Sequence, residues 1–233
     1  MNQYKKFSYY YDEVVASLEY DLWLEFIEDY LNPNDNILDL ACGTGTLLNM
    51  LNLKGYDCDG LDLSEEIIEI AKEKAKINHL QIPFYVQDMT SFNLNKKYNM
   101  ITCFFDSVNF IKDITDVNKM FECVKAHLKP NGYFIFDIFS NVMFKEYQNN
   151  ELNEDHHTFK INWKTKKYDS TTLKHDITIY EGDITLKESY FEYYHEIKSL
   201  NLDGFKLIKI CGDFNDDYID TEDERILFVL QLR

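Results

Sequence analysis

Positive charge is scarce in this 233-residue chain: 24 Lys+Arg stand against 41 Asp+Glu, a formal net charge of −17. A surface of that sign repels a polyphosphate backbone, because duplex binding rests on Lys and Arg displacing counterions. No basic cluster interrupts the acidic background, so nucleic acid is not an expected partner. Long apolar runs are missing too. The opening stretch MNQYKKFSYYYDEVV holds no signal-peptide core and no run reaches 18 apolar residues, which leads to the expectation of a cytoplasmic protein with no membrane span. The five cysteines (Cys42, Cys58, Cys103, Cys123 and Cys211) are scattered and never form a CxxC pair. Their odd number and spacing argue against a disulfide framework or a zinc site, and for reduced, mostly buried thiols. Internal repeats, low-complexity tracts and linkers are also absent. What is present is enough apolar material for a core, 45% hydrophobic residues against 28% charged, in a length that fits one domain with an insertion or a large domain with a small one.

The chain alternates short apolar runs with amphipathic ones. Residues 13–31 place Val14, Leu18, Leu22, Phe26 and Ile27 at helical spacing, which predicts one amphipathic helix ahead of the turn at Pro33–Asn36. ILDLA (37–41) reads as a strand that runs through a Gly-rich turn into the helical TLLNMLNLKG. CDGLDL (58–63) is a second strand, with Ser64 capping a helix to Ile77; PFYVQD (83–88) and YNMITCFF (98–105) are the third and fourth. VNKMFECVKAHL (117–128) is helical, Lys129–Gly132 is a turn, and GYFIFDIF (132–139) is the fifth strand. Such alternation implies an α/β fold: a Rossmann-like, doubly wound, mostly parallel sheet.

After about residue 150 the pattern changes to apolar/polar alternation around turns such as Glu181-Gly182-Asp183, the signature of antiparallel sheet with one wet face. FKLIKICGDF (205–214) and RILFVLQL (225–232) then read as a closing pair on the main sheet. The expected layout is a core of residues 1–150 and 198–233 carrying an antiparallel β insertion, 151–197, after the fifth strand.

The stretch Asp39-Leu40-Ala41-Cys42-Gly43-Thr44-Gly45 leaves a parallel strand and enters a helix, the place where open α/β sheets bind ligands. Gly43 and Gly45 permit a tight turn and a ligand laid against the backbone; alone they equally fit a plain turn. The nicotinamide fingerprint requires another glycine three residues after Gly45, where this chain has Leu48. Asp39 would also oppose a pyrophosphate. A cationic, phosphate-free ligand suits the turn better, and S-adenosyl-L-methionine has that character. Asp62 at the end of the second strand is placed to accept from ribose hydroxyls, with Leu63 beside it. Gln87, Asp88 and Met89 follow the third strand, Asp88 as an acceptor for an adenine amino group and Met89 as a soft face for its ring.

These motifs resemble the class I S-adenosylmethionine-dependent methyltransferases over roughly residues 1–145 and the last strands. ILDLACGTGTLL matches the family's first motif, with Ala41 where the opening glycine is usual. Asp62 matches its ribose-binding acid, Asp88-Met89 its adenine contacts, and HLKPNGYFIFDIF its turn and fifth strand. YKKFSYYYDEVV, EYDLW and FFDSVNFI are further similar to bacterial small-molecule members of the glycine and amino-sugar N-methyltransferase type. That likeness implies an insertion roofing the acceptor pocket, Tyr11 and Trp23 closing over the methionyl end, and Phe104 and Phe105 lining the cofactor. The chain departs from it at HEIKSLNLDGF, where a longer helix is usual.

The expected reaction is in-line methyl transfer to a nitrogen, or an oxygen, of a small molecule, with alignment as the protein's main contribution. A base is needed if the acceptor arrives protonated; Asp106 and Asp137 are the candidates, with Tyr11 and His195 as possible assistants. Asp106 equally fits a turn cap, and the aromatic residues around His195 equally fit packing. His156-His157 point to opposite faces of a strand, and the acidic 212–224 loop lacks EF-hand positions, so no metal is expected. A nucleic-acid methyltransferase on the same core and a non-catalytic nucleoside-binding module remain as alternatives, and both monomer and homodimer remain open.

Overall fold

The computed structural model describes residues 4–16, 19–215 and 217–233. Two helices come first, α1 (Tyr4–Val14) and α2 (Tyr20–Glu28), followed by β1 (Asn36–Leu40), α3 (Thr46–Leu53), β2 (Asp57–Asp62), α4 (Glu65–Ile77), β3 (Phe84–Val86) and β4 (Tyr98–Cys103). Then come α5 (Ile114–His127), β5 (Leu128–Phe139), α6 (Asn141–Glu146), β6 (Asn149–Asp155), β7 (Lys160–Lys167), β8 (Thr172–Glu181), β9 (Ile184–Tyr193), β10 (Phe205–Gly212) and β11 (Arg225–Leu232).

Seven strands form the main sheet in the order β10-β11-β5-β4-β1-β2-β3, and β6-β7-β8-β9 form a separate antiparallel sheet. β1 pairs in parallel with both β2 and β4, so strand order reverses at β1 and opens a crevice at the carboxyl edge. β11 runs antiparallel to β5 and β10. β1 is buried along its whole length because both sheet faces are covered. Val117, Met120, Phe121 and Val124 of α5 pack in one core cluster, and Trp23, Leu24, Ile27, Leu47, Leu48 and Leu51 of α2 and α3 in the other. Gly60 permits that second contact: a Cβ there would lie 2.6 Å from Leu48 Cδ1. Ser64 caps α4 by accepting from Ile67 N, with Glu65 and Glu66 in the first turn and Lys74 and Lys76 in the last, which suits the helix dipole.

The predicted single helix over 13–31 is two helices. Trp23, Leu24 and Ile27 form the buried stripe of α2 whereas Leu22 is largely exposed, and Leu18 lies outside the described residues. The turn expected at Lys129–Gly132 is absorbed into β5, which begins at Leu128 with Asn131 left-handed at φ 61°. The second sheet runs from Asn149 to Tyr193. Where a longer helix is usual there is a single 3-10 turn, Ile197–Ser199. α1 lies against this sheet: Phe7, Tyr10 and Val14 pack on Phe159, Ile161, Ile177 and Ile179. Among the described residues no helix is long and apolar enough to cross a membrane.

Candidate functional site

The turn after β1 is left-handed at three positions, Ala41 (φ 52°), Gly43 (φ 55°) and Gly45 (φ 74°). Only the first carries a Cβ, a strained arrangement of the kind found where a ligand is clamped. Cys42 N bonds to Leu61 O at 3.0 Å and Gly45 N to Cys42 O at 3.0 Å, which pins the loop between β1 and β2. Space beside Gly43 is open, with nothing among the described residues within 4 Å of where a Cβ would stand. Asp39 is buried and accepts from Thr102 Oγ1 at 2.6 Å. Burial, opposed by that bond and reinforced by Asp62 and Asp137, pushes its pKa up to about 7. Burial beside Asp39 and Asp62 likewise raises the Cys42 thiol, which argues against a nucleophilic role.

Asp62 closes the loop from the other side. Its Oδ2 accepts from Gly43 N at 3.0 Å and its Oδ1 from Ser64 N at 2.9 Å. Each oxygen keeps a further lone pair, and burial raises this carboxyl against those backbone bonds. Leu63 next to it is 70% exposed, an uncovered apolar side chain at the crevice. After β3, Gln87 Oε1 accepts from Asn93 N at 2.9 Å, and Asp88 Oδ1 accepts from Thr90 N and Oγ1 at 2.8 and 2.7 Å. Met89 is partly buried against the core.

The end of β4 is organised around one fully buried carboxylate. Asp137 Oδ1 accepts from Asp106 N (2.9 Å), and its Oδ2 from Phe105 N (3.2 Å), Trp23 Nε1 (3.2 Å) and Arg225 (2.8 Å). These bonds hold Phe105 and Asp106 left-handed, both at φ 59°. Arg225 also grips Asp106 in a two-nitrogen fork at 2.8 and 2.9 Å. Burial pushes Asp106 up to about 7 against the guanidinium that pulls it down.

This geometry corrects several expectations. Asp137, saturated by four donors and shut from solvent, is a brace rather than a base. Trp23 is 5% exposed with its indole N–H on Asp137, so it packs at a tilt against Phe105, ring centroids 4.5 Å apart, instead of closing over a ligand. Phe104 belongs to the core at 2% exposure, leaving Phe105 as the ring at the crevice. His195 is buried with Nε2 on Ile111 O at 2.8 Å, and burial lowers its pKa; it ties a loop rather than assisting a reaction.

Tyr11 of α1 faces the same place. Burial, then Tyr20, Asp106, Asp12 and Glu192 around it, raise its hydroxyl well above the usual range. Asp12 anchors the helix: it takes Lys74 Nζ at 2.7 Å and Thr44 Oγ1 at 2.6 Å, while Lys74 also reaches Thr46 at 2.7 Å. From the second sheet, Tyr190 stacks on His175 at 4.5 Å, and Glu192 lies 3.0 Å from His175. Arg225, Glu192 and His175 were not singled out in the sequence. One faint signal existed for the first: it is one of only two arginines in the chain, at the head of an apolar strand.

A methyltransferase domain family matches residues 37–132. The Bacillus subtilis (strain 168) protein YqeM, which carries a provisional methyltransferase name, is 29% identical over 241 residues, 98% of this chain and 96% of its own. An S-adenosylmethionine-dependent methyltransferase from Clostridium acetobutylicum ATCC 824 superposes with a TM-score of 0.85 at 29% identity, covering 99% of both chains. The sugar N-methyltransferase KedS8 from Streptoalloteichus shares the fold at 16% identity and TM-score 0.72, over 92% of this chain and 87% of its own.

Proposed function

We propose that this chain, a class I S-adenosylmethionine-dependent methyltransferase, moves a methyl group to a nitrogen of a small molecule held between the carboxyl edge of the main sheet and the inner face of the second one. One observation carries the reading. Asp62 bridges Gly43 N and Ser64 N beside an open Gly43 and an exposed Leu63. That is an acceptor for hydroxyls, a backbone a ligand can lie on, and an apolar face for a base, at the end of one strand.

The residues fit the cofactor on chemistry. The loop is flanked by Asp39 and Asp62, and the α4 residue Lys74, whose ammonium reaches Thr46 at the start of α3, is engaged by Asp12, so the turn suits a phosphate-free cationic nucleoside and not a pyrophosphate. When bound, S-adenosylmethionine supplies a methyl group already activated by its sulfonium, so the protein has no electrophile to create. In this reading Asp62 takes the ribose hydroxyls, and Asp88 an adenine amino group, with Leu63, Gln87 and Met89 around the ring. Asp39, Ala41, Cys42, Gly43 and Gly45 form the floor under the methionyl end, with Tyr11 and Phe105 above it. Residues 149–193 form the roof over the acceptor. Alignment of the acceptor is the main source of rate, worth on the order of 7–11 kcal/mol in well-oriented systems.

Calorimetric titration with S-adenosylhomocysteine tests this. The expected result is saturable binding that weakens about 10- to 100-fold in Asp62→Ala, the size of one or two hydrogen bonds to a charged acceptor. No binding to the folded wild-type protein would sink the assignment.

A further inference from the structure

The inner face of the second sheet changes character along its length. Where it meets α1 it is apolar, with Ile161, Ile177 and Ile179 buried. Further along the same face the pairings His175↔Tyr190, Thr165↔His175 and Leu173↔Glu192 bring polar side chains inward. Trp163 Nε1 donates to His175 Nδ1 at 3.0 Å, and Thr165 Oγ1 lies 3.1 Å from the same nitrogen. An indole N–H only donates, so Nδ1 is bare and the ring proton sits on Nε2. That nitrogen lies 3.0 Å from Glu192 Oε2, with the two side chains 3% and 13% exposed. It is not aligned for a full hydrogen bond. The contact is electrostatic, and it leaves carboxylate lone pairs open to a second partner.

A buried Trp–His–carboxylate row costs desolvation that further isoleucines would avoid. Its position gives the reason for keeping it. Glu192 looks toward Asp106, Tyr11, Tyr190 and Tyr147 from three other parts of the chain, near enough to raise the pKa of each. Arg225 is a single cation set against two carboxylates, Asp106 and Asp137. Glu192 makes the surplus of negative charge larger, and tyrosine rings wall it, the surroundings in which organic cations bind.

We propose that Glu192 is the acceptor-binding carboxylate, that His175 with Trp163 behind it is its positioning residue, and that the acceptor arrives as a small organic cation, a primary or secondary amine protonated at neutral pH. The proposal rests on the methyltransferase reading and deepens it. Glu192 also takes the proton that must leave: the ammonium N–H bond breaks, the proton passes to a Glu192 oxygen, and the electron pair stays on nitrogen as the nucleophile. The carboxylic acid formed returns its proton to water.

The test uses full-length protein saturated with S-adenosylhomocysteine and three probes on one ring, cyclohexylamine, cyclohexanol and cyclohexanecarboxylate, followed by ligand-observed NMR at neutral pH. The amine is expected to bind about tenfold more tightly than the other two, the size of one charge-assisted contact. Glu192→Gln should erase that preference, and Glu192→Lys should turn it toward the carboxylate. His175→Leu should weaken the amine several-fold, with His175→Gln, which keeps an N–H near Glu192, restoring most of it. S-adenosylhomocysteine affinity should stay within about twofold throughout, because none of these side chains touches the glycine turn. Equal binding of the three probes, no amine binding by the loaded protein, or a preference that survives Glu192→Gln would each overturn the proposal. Failure of the wild-type protein to bind S-adenosylhomocysteine would instead overturn the reading beneath it.

Discussion

The two sheets treat their buried acids differently. On the main sheet Asp39, Asp62, Asp106 and Asp137 are each tied by the protein's own donors: Thr102, the backbone at Gly43 and Ser64, and the Arg225 fork. On the second sheet Glu188 Oε2 is buried with no hydrogen-bond partner among the described residues, and Glu192 has an imperfectly aligned histidine. Carboxylates tied in this way are held rigid before a ligand comes, which suits a site that must present one cofactor in one geometry. Undersupplied ones suit a surface that is completed by its ligand. The comparison teaches that the fixed half and the variable half of such a site can be told apart by counting donors, with no ligand present.

The largest effect should come from breaking the Arg225 clamp on the main-sheet side. Arg225→Leu leaves Asp106 and Asp137 buried without their cation, which should cost about 3–5 kcal/mol and lower Tm by roughly 10 °C for a chain of this size. Differential scanning calorimetry of the two proteins checks it. A change of a degree or two would mean that protonation of Asp106 replaces the guanidinium, and the bracing role assigned to Arg225 would fall.

A smaller effect should appear in pH dependence. Asp39 titrates at about 7 in the folded chain, burial being the main cause, against 3.8 in the reference state. The folded state therefore holds more protons than the unfolded one between those values, and this group's contribution to stability falls as pH rises from about 4 to 7. A cation bound nearby favours the ionised form, so S-adenosylhomocysteine, with its ammonium, should bind more tightly as pH climbs toward 7, by up to about tenfold per unit. Asp39→Asn should flatten that slope in calorimetric titrations at several pH values. An unchanged slope would assign the titration to Asp106, the other acid lifted to about 7.

The smallest effect sharpens the undersupplied side. Burial alone lifts Glu188 from 4.5 to about 7, so its contribution to stability falls as pH rises from about 4.5 to 7 and stays lost above that. Glu188→Gln removes the charge at nearly the same volume, and should leave stability unchanged at pH 5 and raise it at pH 8 by up to about 1 kcal/mol. Urea unfolding at both values reads the difference. A loss of stability at pH 8 would show that the carboxylate has a partner after all, and the contrast between the sheets would weaken.

Much of this was legible in the chain itself. Short apolar runs ILDLA, YNMITCFF and GYFIFDIF, bounded by turn signals, read as strands covered on both faces, and Ser64 before Glu65-Glu66 as a helix start, so the doubly wound sheet and its crevice followed from local pattern. The gathering of Asp39, Gly43, Gly45 and Asp62 at one edge was legible for the same reason: each sits at or just after the end of a strand, and strand ends share one edge. Tertiary structure alone decided the rest. Whether Asp106 and Asp137 are free bases or clamped braces depends on Arg225, 119 and 88 positions away. Whether Trp23 covers a ligand or lies beneath Phe105 depends on an indole bond across 114 residues. Glu192 reads as one more acid in an acidic strand until antiparallel pairing turns it to the face of His175. Periodicity specifies which side of an element is buried, but the partner met there is a property of long-range packing, and a carboxylate's chemistry belongs to its partner.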